Sequence, residues 1–311
     1  MIGLISDAVL PIAWILAVGF GLKRYTGIDD AVWRGLEKIS YWVLMPSLLA
    51  AVIIKAPRLE IPWIALAGSM YATFGLISIA LVVGWKLRLL GGNYSSFTSL
   101  YQGSVRFNTF ISMALIVGLN PTLLPHLGIA AAIFIIALNI CCVVLMTAGH
   151  GGKLSRRVVL ELAKNPLIMA CVLGGFGRVI GIPYEFPITG LDLVGQAALP
   201  MGVLCLGAGL QWNALRSGLG LALLAVIIQL LIKPFLFIGL AVWFDLSSEW
   251  LLVGLLLMCV STAPSSFILA RQLGGDAPLM AGIVAIQTVL AIASVPIVLW
   301  IAETMNWMSL Q

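Results

Sequence analysis

The chain has 311 residues, 61% of them hydrophobic and 9% charged, with a formal net charge of +5. A soluble domain carries about a quarter charged residues, so this composition excludes a soluble enzyme and belongs to the membrane class. The basic excess is dispersed over short connections, without the patch that nucleic acid would require, so no nucleic-acid partner is expected.

Apolar stretches of about 20 residues, each enough to cross a hydrocarbon core, recur along the whole length. In chain order they predict ten transmembrane helices, at 4–22, 33–54, 62–84, 96–118, 127–148, 160–181, 188–210, 219–244, 250–272 and 278–302. No Lys or Arg precedes the first run and no small-residue cleavage site follows it, so the first span is expected to be retained. Basic residues after the odd-numbered spans are Lys23, Arg24, Arg34, Lys86, Arg88, Lys153, Arg156, Arg157, Lys164, Arg216 and Arg271. They outnumber Lys55, Arg58 and Arg178 on the other side, which by the positive-inside rule puts both termini on the extracytoplasmic face. The five cysteines lie inside apolar runs without CxxC spacing, and His126 and His150 stand singly at span ends. Neither a metal site nor a cofactor is therefore expected.

The first and last five spans match at an offset of about 155 residues. Pro11 and Gly19-Phe20-Gly21 correspond to Pro166 and Gly175-Phe176-Gly177, Leu36 and Pro46 to Leu191 and Pro200, and Asn108 to Pro264. Five is an odd number, so the second copy enters the membrane from the opposite side. The fold expected is all-α: a single transporter domain with inverted repeats at about 1–148 and 160–311, a cytoplasmic linker at 149–159, and broken helices four and nine crossing at mid-depth. Pro46 and Pro200 are the expected helix breaks of spans two and seven.

Span four carries Gln102, Arg106 and Asn108 near its centre, where a lipid-facing charge is untenable. Span nine is polar at the same depth, reading Ser261-Thr262-Ala263-Pro264-Ser265-Ser266. Pro264 removes a backbone donor and frees carbonyls of the preceding turn, and Ser265 and Ser266 then open a half-helix whose N–H groups suit an anion. A proline kink tied by Ser and Thr side chains is the plainer alternative. Arg106 and Lys233 have no acidic partner at mid-depth, because Asp7, Glu37 and Asp192 lie near span ends. An anionic substrate would supply one. Lys233, beside Pro234, could instead bond freed carbonyls or snorkel. The candidate binding set is Asn108, Arg106, Pro264, Ser265, Ser266, Thr262, Gln102 and Lys233, with no catalytic residue. A sodium/proton antiporter would need carboxylates at the crossing, and neither polar segment has one.

Asn165-Pro166-Leu167-Ile168, Leu199-Pro200-Met201 with Leu206-Gly207-Ala208-Gly209-Leu210, Lys233-Pro234, and Ala263-Pro264-Ser265 through Gly274-Gly275-Asp276 together resemble the auxin efflux carrier family. That family includes plant auxin exporters and bacterial organic-acid permeases. The resemblance implies a five-plus-five inverted repeat, as in bile-acid symporters, with Asn108 and Pro264 at the crossover. It also implies a homodimer in a bacterial inner membrane. Two features depart from the family pattern: Thr109-Phe110-Ile111-Ser112-Met113 follow Asn108 where glycines and a proline are usual, and Phe267-Ile268 stand where an asparagine is frequent.

The function expected is secondary transport, by efflux or exchange, of an organic acid anion such as a carboxylate, coupled to protons, to sodium or to neither. A sodium/bile-acid-type symporter is the alternative, with Asn139, Gln229 and Gln287 as the oxygen donors for sodium. A membrane sensor signalling through a partner is another. An intramembrane enzyme is not expected: HExxH is absent, and Leu273 spoils the GxGD pattern at Gly274-Gly275-Asp276.

Overall fold

The computed structural model describes residues 2–56, 60–148, 165–181, 185–210 and 218–308, and the regular structure among them is helical. In chain order the helices are α1 (Ile2–Tyr25), α2 (Asp30–Lys55), α3 (Trp63–Lys86), α4 (Tyr94–Val105), α5 (Thr109–Leu119), α6 (Leu124–Ala148) and α7 (Pro166–Ile180). There follow α8 (Glu185–Gln196), α9 (Ala198–Ala208), α10 (Leu219–Trp243), α11 (Ser248–Met258), α12 (Ser265–Gln272) and α13 (Ala277–Thr304). Among the described residues seven segments are long and apolar enough to cross a membrane: α1, α2, α3, α6, α8 with α9, α10 and α13. Helices α7 and α11 are shorter and apolar. Predicted spans four and nine are each two half-helices, α4–α5 and α11–α12. The linker 149–159 lies outside the described residues, as do Arg58, Lys164 and Arg216.

Local chemistry sets the helix ends. The Asn165 side chain accepts from Leu167 N at 3.0 Å and Ile168 N at 3.4 Å, and Pro166 occupies the first helical position, where a missing N–H costs nothing. Asp276 caps α13 through Leu279 N at 3.0 Å, again with a proline in the first turn.

Two prolines in long helices are accommodated without a break. Pro46 follows a π-helical turn at Ser40–Leu44, and Pro234 follows one at Ile228–Ile232. A proline ring clashes with the carbonyl four residues back, and a widened turn relieves the clash while keeping the helix continuous. The expected break at Pro46 is thus corrected to a π turn. Pro200 lies in the first turn of α9, just beyond the short interruption at Ala197.

The helices pack in two groups. In one, α1 lies on α9, and α2 lies on α7 and α8. The first contact is closest at two glycines: a Cβ on Gly19 would overlap the Leu204 carbonyl, and one on Gly207 the Leu16 carbonyl. In the other group α4 and α5 sit among α3, α6, α10, α11 and α13. Helix α11 is buried from Trp250 to Met258, which matches a sequence apolar on every face. The groups meet where α1 touches α5 and α13 and where α6 touches α2 and α7.

Candidate substrate site

Both interruptions lie side by side. Between α4 and α5 the chain is extended at Arg106 (φ −73°, ψ 163°) and Asn108 (φ −96°, ψ 102°). Asn108 restarts the helix by capping it, its Oδ1 accepting from Phe110 N at 3.1 Å and Ile111 N at 3.4 Å. Between α11 and α12 the break runs from Cys259 to Pro264, which is the N-cap of α12. Thr262 Oγ1 donates to Gly103 O at 2.9 Å, and Ser112 Oγ donates to Leu256 O at 2.8 Å. Arg106 Nη2 meets Ser265 Oγ at 3.5 Å. The two broken segments are therefore bonded to one another across the interruption.

A broken helix leaves carbonyls without partners, and in a dry interior each must be satisfied. Side chains from α10 and α13 satisfy them. Lys233 Nζ donates to Val105 O and Arg106 O, each at 3.3 Å, and to Gln229 Oε1 at 2.6 Å. Gln229 Nε2 reaches Arg106 O at 2.9 Å and Val260 O at 2.6 Å, so one amide holds both breaks. From α13, Gln287 Nε2 donates to Gly103 O at 2.7 Å and Ala225 O at 3.1 Å, while its Oε1 accepts from Thr262 N at 2.9 Å. Thr288 Oγ1 bonds Ser261 Oγ at 3.2 Å. Lys233, 1% exposed, is thus a fixed cation over the negative end of α4.

The positive helix ends are treated unequally. The N-terminus of α5 is capped by Asn108, whereas Pro264 offers α12 no side-chain cap. At that uncapped end stands Arg106, with no carboxylate within salt-bridge distance among the described residues. Its neighbours are Tyr41, from the π turn of α2, and Cys142 of α6, both within electrostatic reach. Four buried polar atoms in and beside the breaks lack a hydrogen-bond partner: Arg106 Nη1, Asn108 Nδ2, Gln102 Oε1 and Ser266 Oγ.

Residues 150–299 match the family model described as membrane transport protein, the family of the auxin efflux carriers. Over these residues, just under half of its length, the chain is similar to the auxin efflux carriers. Members of that family are transporters rather than enzymes, and together with the apolar helices this makes the chain a multi-pass membrane transporter. A search of curated proteins found no match. The segment matched to the auxin efflux carriers includes Lys233, Thr262, Pro264, Ser265 and Ser266. Gln102, Arg106 and Asn108 lie before it and reach the same place through the bonds just described.

All eight residues of the candidate binding set lie in the chain's two breaks or against them, with different employments. Arg106, Asn108, Gln102 and Ser266 keep free polar atoms, and Ser265 is exposed. Lys233 and Thr262 spend their donors on protein carbonyls, which is the freed-carbonyl alternative for Lys233. Gln229 and Gln287, singled out as sodium donors, have their amide oxygens engaged by Lys233 and Thr262. Their part in closing the breaks had one sequence signal, the four-residue spacing that puts Gln229 one turn before Lys233. Among the described residues no group of three His, Cys, Asp or Glu could hold a metal.

Proposed function

We propose that this transporter moves organic acid anions, carboxylates in particular, by alternating access, with the anion seated between Arg106 and the N-terminus of α12. One observation carries the reading. Among the described residues, Arg106 approaches an uncapped positive helix end without a carboxylate to balance it. Two positive features held together at membrane depth are costly, and an entering anion relieves both at once. A helix N-terminus with a neighbouring guanidinium is chemistry suited to a carboxylate.

The inverted repeat belongs to the same proposal, and the packing supports it. Gly19 of α1 meets the backbone of Leu204 in α9, and Gly174 of α7 would meet the backbone of Ala50 in α2. Gly19 and Gly174 are related by the offset of about 155 residues seen in the sequence, as are Ala50 and Cys205, the neighbour of Leu204. In such repeats the substrate sits where the broken helices meet. We place the termini outward in a plasma membrane, from the distribution of Lys and Arg.

Counterflow of radiolabelled monocarboxylates and dicarboxylates in proteoliposomes tests the function. Wild type should exchange at least one class, and Arg106→Gln should lower its rate by about tenfold or more, the loss of one charge-assisted contact. Undiminished exchange by Arg106→Gln would overturn the seat proposed for the anion.

A further inference from the structure

The polar atoms left over at the breaks specify more than an anion. Gln102 and Asn108 are each at least 99% buried and Ser266 is fully buried, so their free atoms have no bulk water to turn to. A buried polar atom without a partner is costly, and a ligand that supplies one is selected for it. Resting on the reading that this is a carboxylate site, we infer that its substrate is a small hydroxy-monocarboxylate: one negative charge, and a hydroxyl close to it.

The charge count comes from how the two cations are used. Lys233 is committed to Val105 O, Arg106 O and Gln229 Oε1, which offset it with the negative end of α4. Arg106 is the one cation at the crossing whose charge no described carboxylate or carbonyl takes up. A single carboxylate balances it; a dianion would bring a second charge with no counter-charge at that depth.

The hydroxyl follows from the kinds of atom that are free. Arg106 Nη1 and Asn108 Nδ2 are donors, which a carboxylate takes. Asn108 Nδ2 is assigned securely, because the opposite atom of that amide, Oδ1, accepts from Phe110 N and Ile111 N. Gln102 Oε1 is an acceptor and cannot serve a carboxylate; its partner must be a donor on the substrate. The Gln102 amide is oriented by its Nε2, which donates to Met146 Sδ at 3.2 Å. Gln102 lies one turn before Arg106, whose backbone N bonds Gln102 O at 3.1 Å. One turn of helix separates the two side chains, so the donor belongs on the same small molecule as the carboxylate and close to it. Ser266 Oγ, able to donate or accept, serves either group.

Counterflow with three unlabelled competitors against labelled lactate reads this directly: lactate, propionate, which lacks only the hydroxyl, and malonate at a pH where it is a dianion. Lactate should half-compete at a concentration about tenfold below propionate and malonate, the size of effect expected from one unsatisfied buried acceptor or one unbalanced charge. Gln102→Met, unbranched and of similar bulk, should draw the lactate-to-propionate ratio toward one. Equal competition by lactate and propionate in wild type would overturn the hydroxyl. Stronger competition by malonate would overturn the charge count. Either result leaves carboxylate transport standing. Absence of exchange for every carboxylate would overturn the carboxylate site and this inference together.

Discussion

Lys233 and Arg106 are both cations at the break, and the backbone carbonyl of one accepts from the ammonium of the other. Their roles are opposed. Lys233 is spent on holding the chain open, and Arg106 is left over for something that enters. Lys233→Met should therefore leave Val105 O and the Gln229 amide oxygen short of a donor, Arg106 O keeping its bond from Gln229 Nε2, at about 1–3 kcal/mol for each group left unsatisfied. The purified protein should melt several degrees lower, at roughly 2–4 °C per kcal/mol, while a carboxylate still raises the melting temperature of what remains folded. An unchanged melting temperature with loss of the ligand-induced rise would make Lys233 a ligand of the substrate instead. At this scale the sequence was legible in part. Two unpaired mid-depth cations stand out in any hydropathy reading, but which one is spent depends on carbonyls brought from 127 and 128 residues away.

At the scale of the element, four prolines that look alike in the sequence meet different ends. Pro46 and Pro234 are absorbed by π turns, Pro200 lies in a first turn, and of the four only Pro264 begins a half-helix after a non-helical stretch. The difference lies in the neighbours. Before Pro264 the chain offers Val260 O, Ser261 Oγ, Thr262 N and Thr262 Oγ1, which α10, α13 and α4 bond directly, so an opened backbone is satisfied there. Before Pro46 and Pro234 the helices stay continuous, with Trp42 and Leu231 about half exposed on their outer faces, where an opened backbone would find no such partners. Pro264→Ala restores the backbone donor and favours joining α11 to α12; transport should fall by about tenfold or more. Pro46→Ala should cost far less, because a π turn can relax to an ordinary one. Exchange rates of the two variants, normalised to the amount reconstituted, make the comparison, and equal losses would count against it. Asn108 was easier to read than the prolines, since asparagine at a helix start has its own capping chemistry.

For the molecule as a whole, the seam between α1 and α9 is the closest approach of its first group of helices. Gly19→Val and Gly207→Val each push a side chain into the opposite backbone, an overpacking that costs about 1–3 kcal/mol. Each should lower the melting temperature in detergent by several degrees and broaden the size-exclusion peak; a sharp peak with an unchanged melting temperature would count against the seam's importance. The long apolar helices were legible from hydropathy, because nothing but length and composition is required to cross a bilayer. Of the seam only Gly19 stood out in the sequence, as part of a glycine pattern repeated in span six, since a glycine in a membrane helix does not announce what it touches.

Helix α4 is fastened at both ends. At its start Ser96 Oγ donates to Asp276 Oδ2 at 2.9 Å, Ser99 Oγ to Asp276 O at 3.0 Å and Ser95 Oγ to Gly274 O at 2.8 Å. At its end stand the bonds from Lys233, Gln229, Gln287 and Thr262. Every one of these partners comes from the second half of the chain. The segment that carries the family's signature is therefore chemically unfinished without the first half, which supplies both the guanidinium and the carbonyls its own side chains were placed to serve. Neither half is satisfied by itself: each supplies the polar partners that the other would otherwise have to take from water.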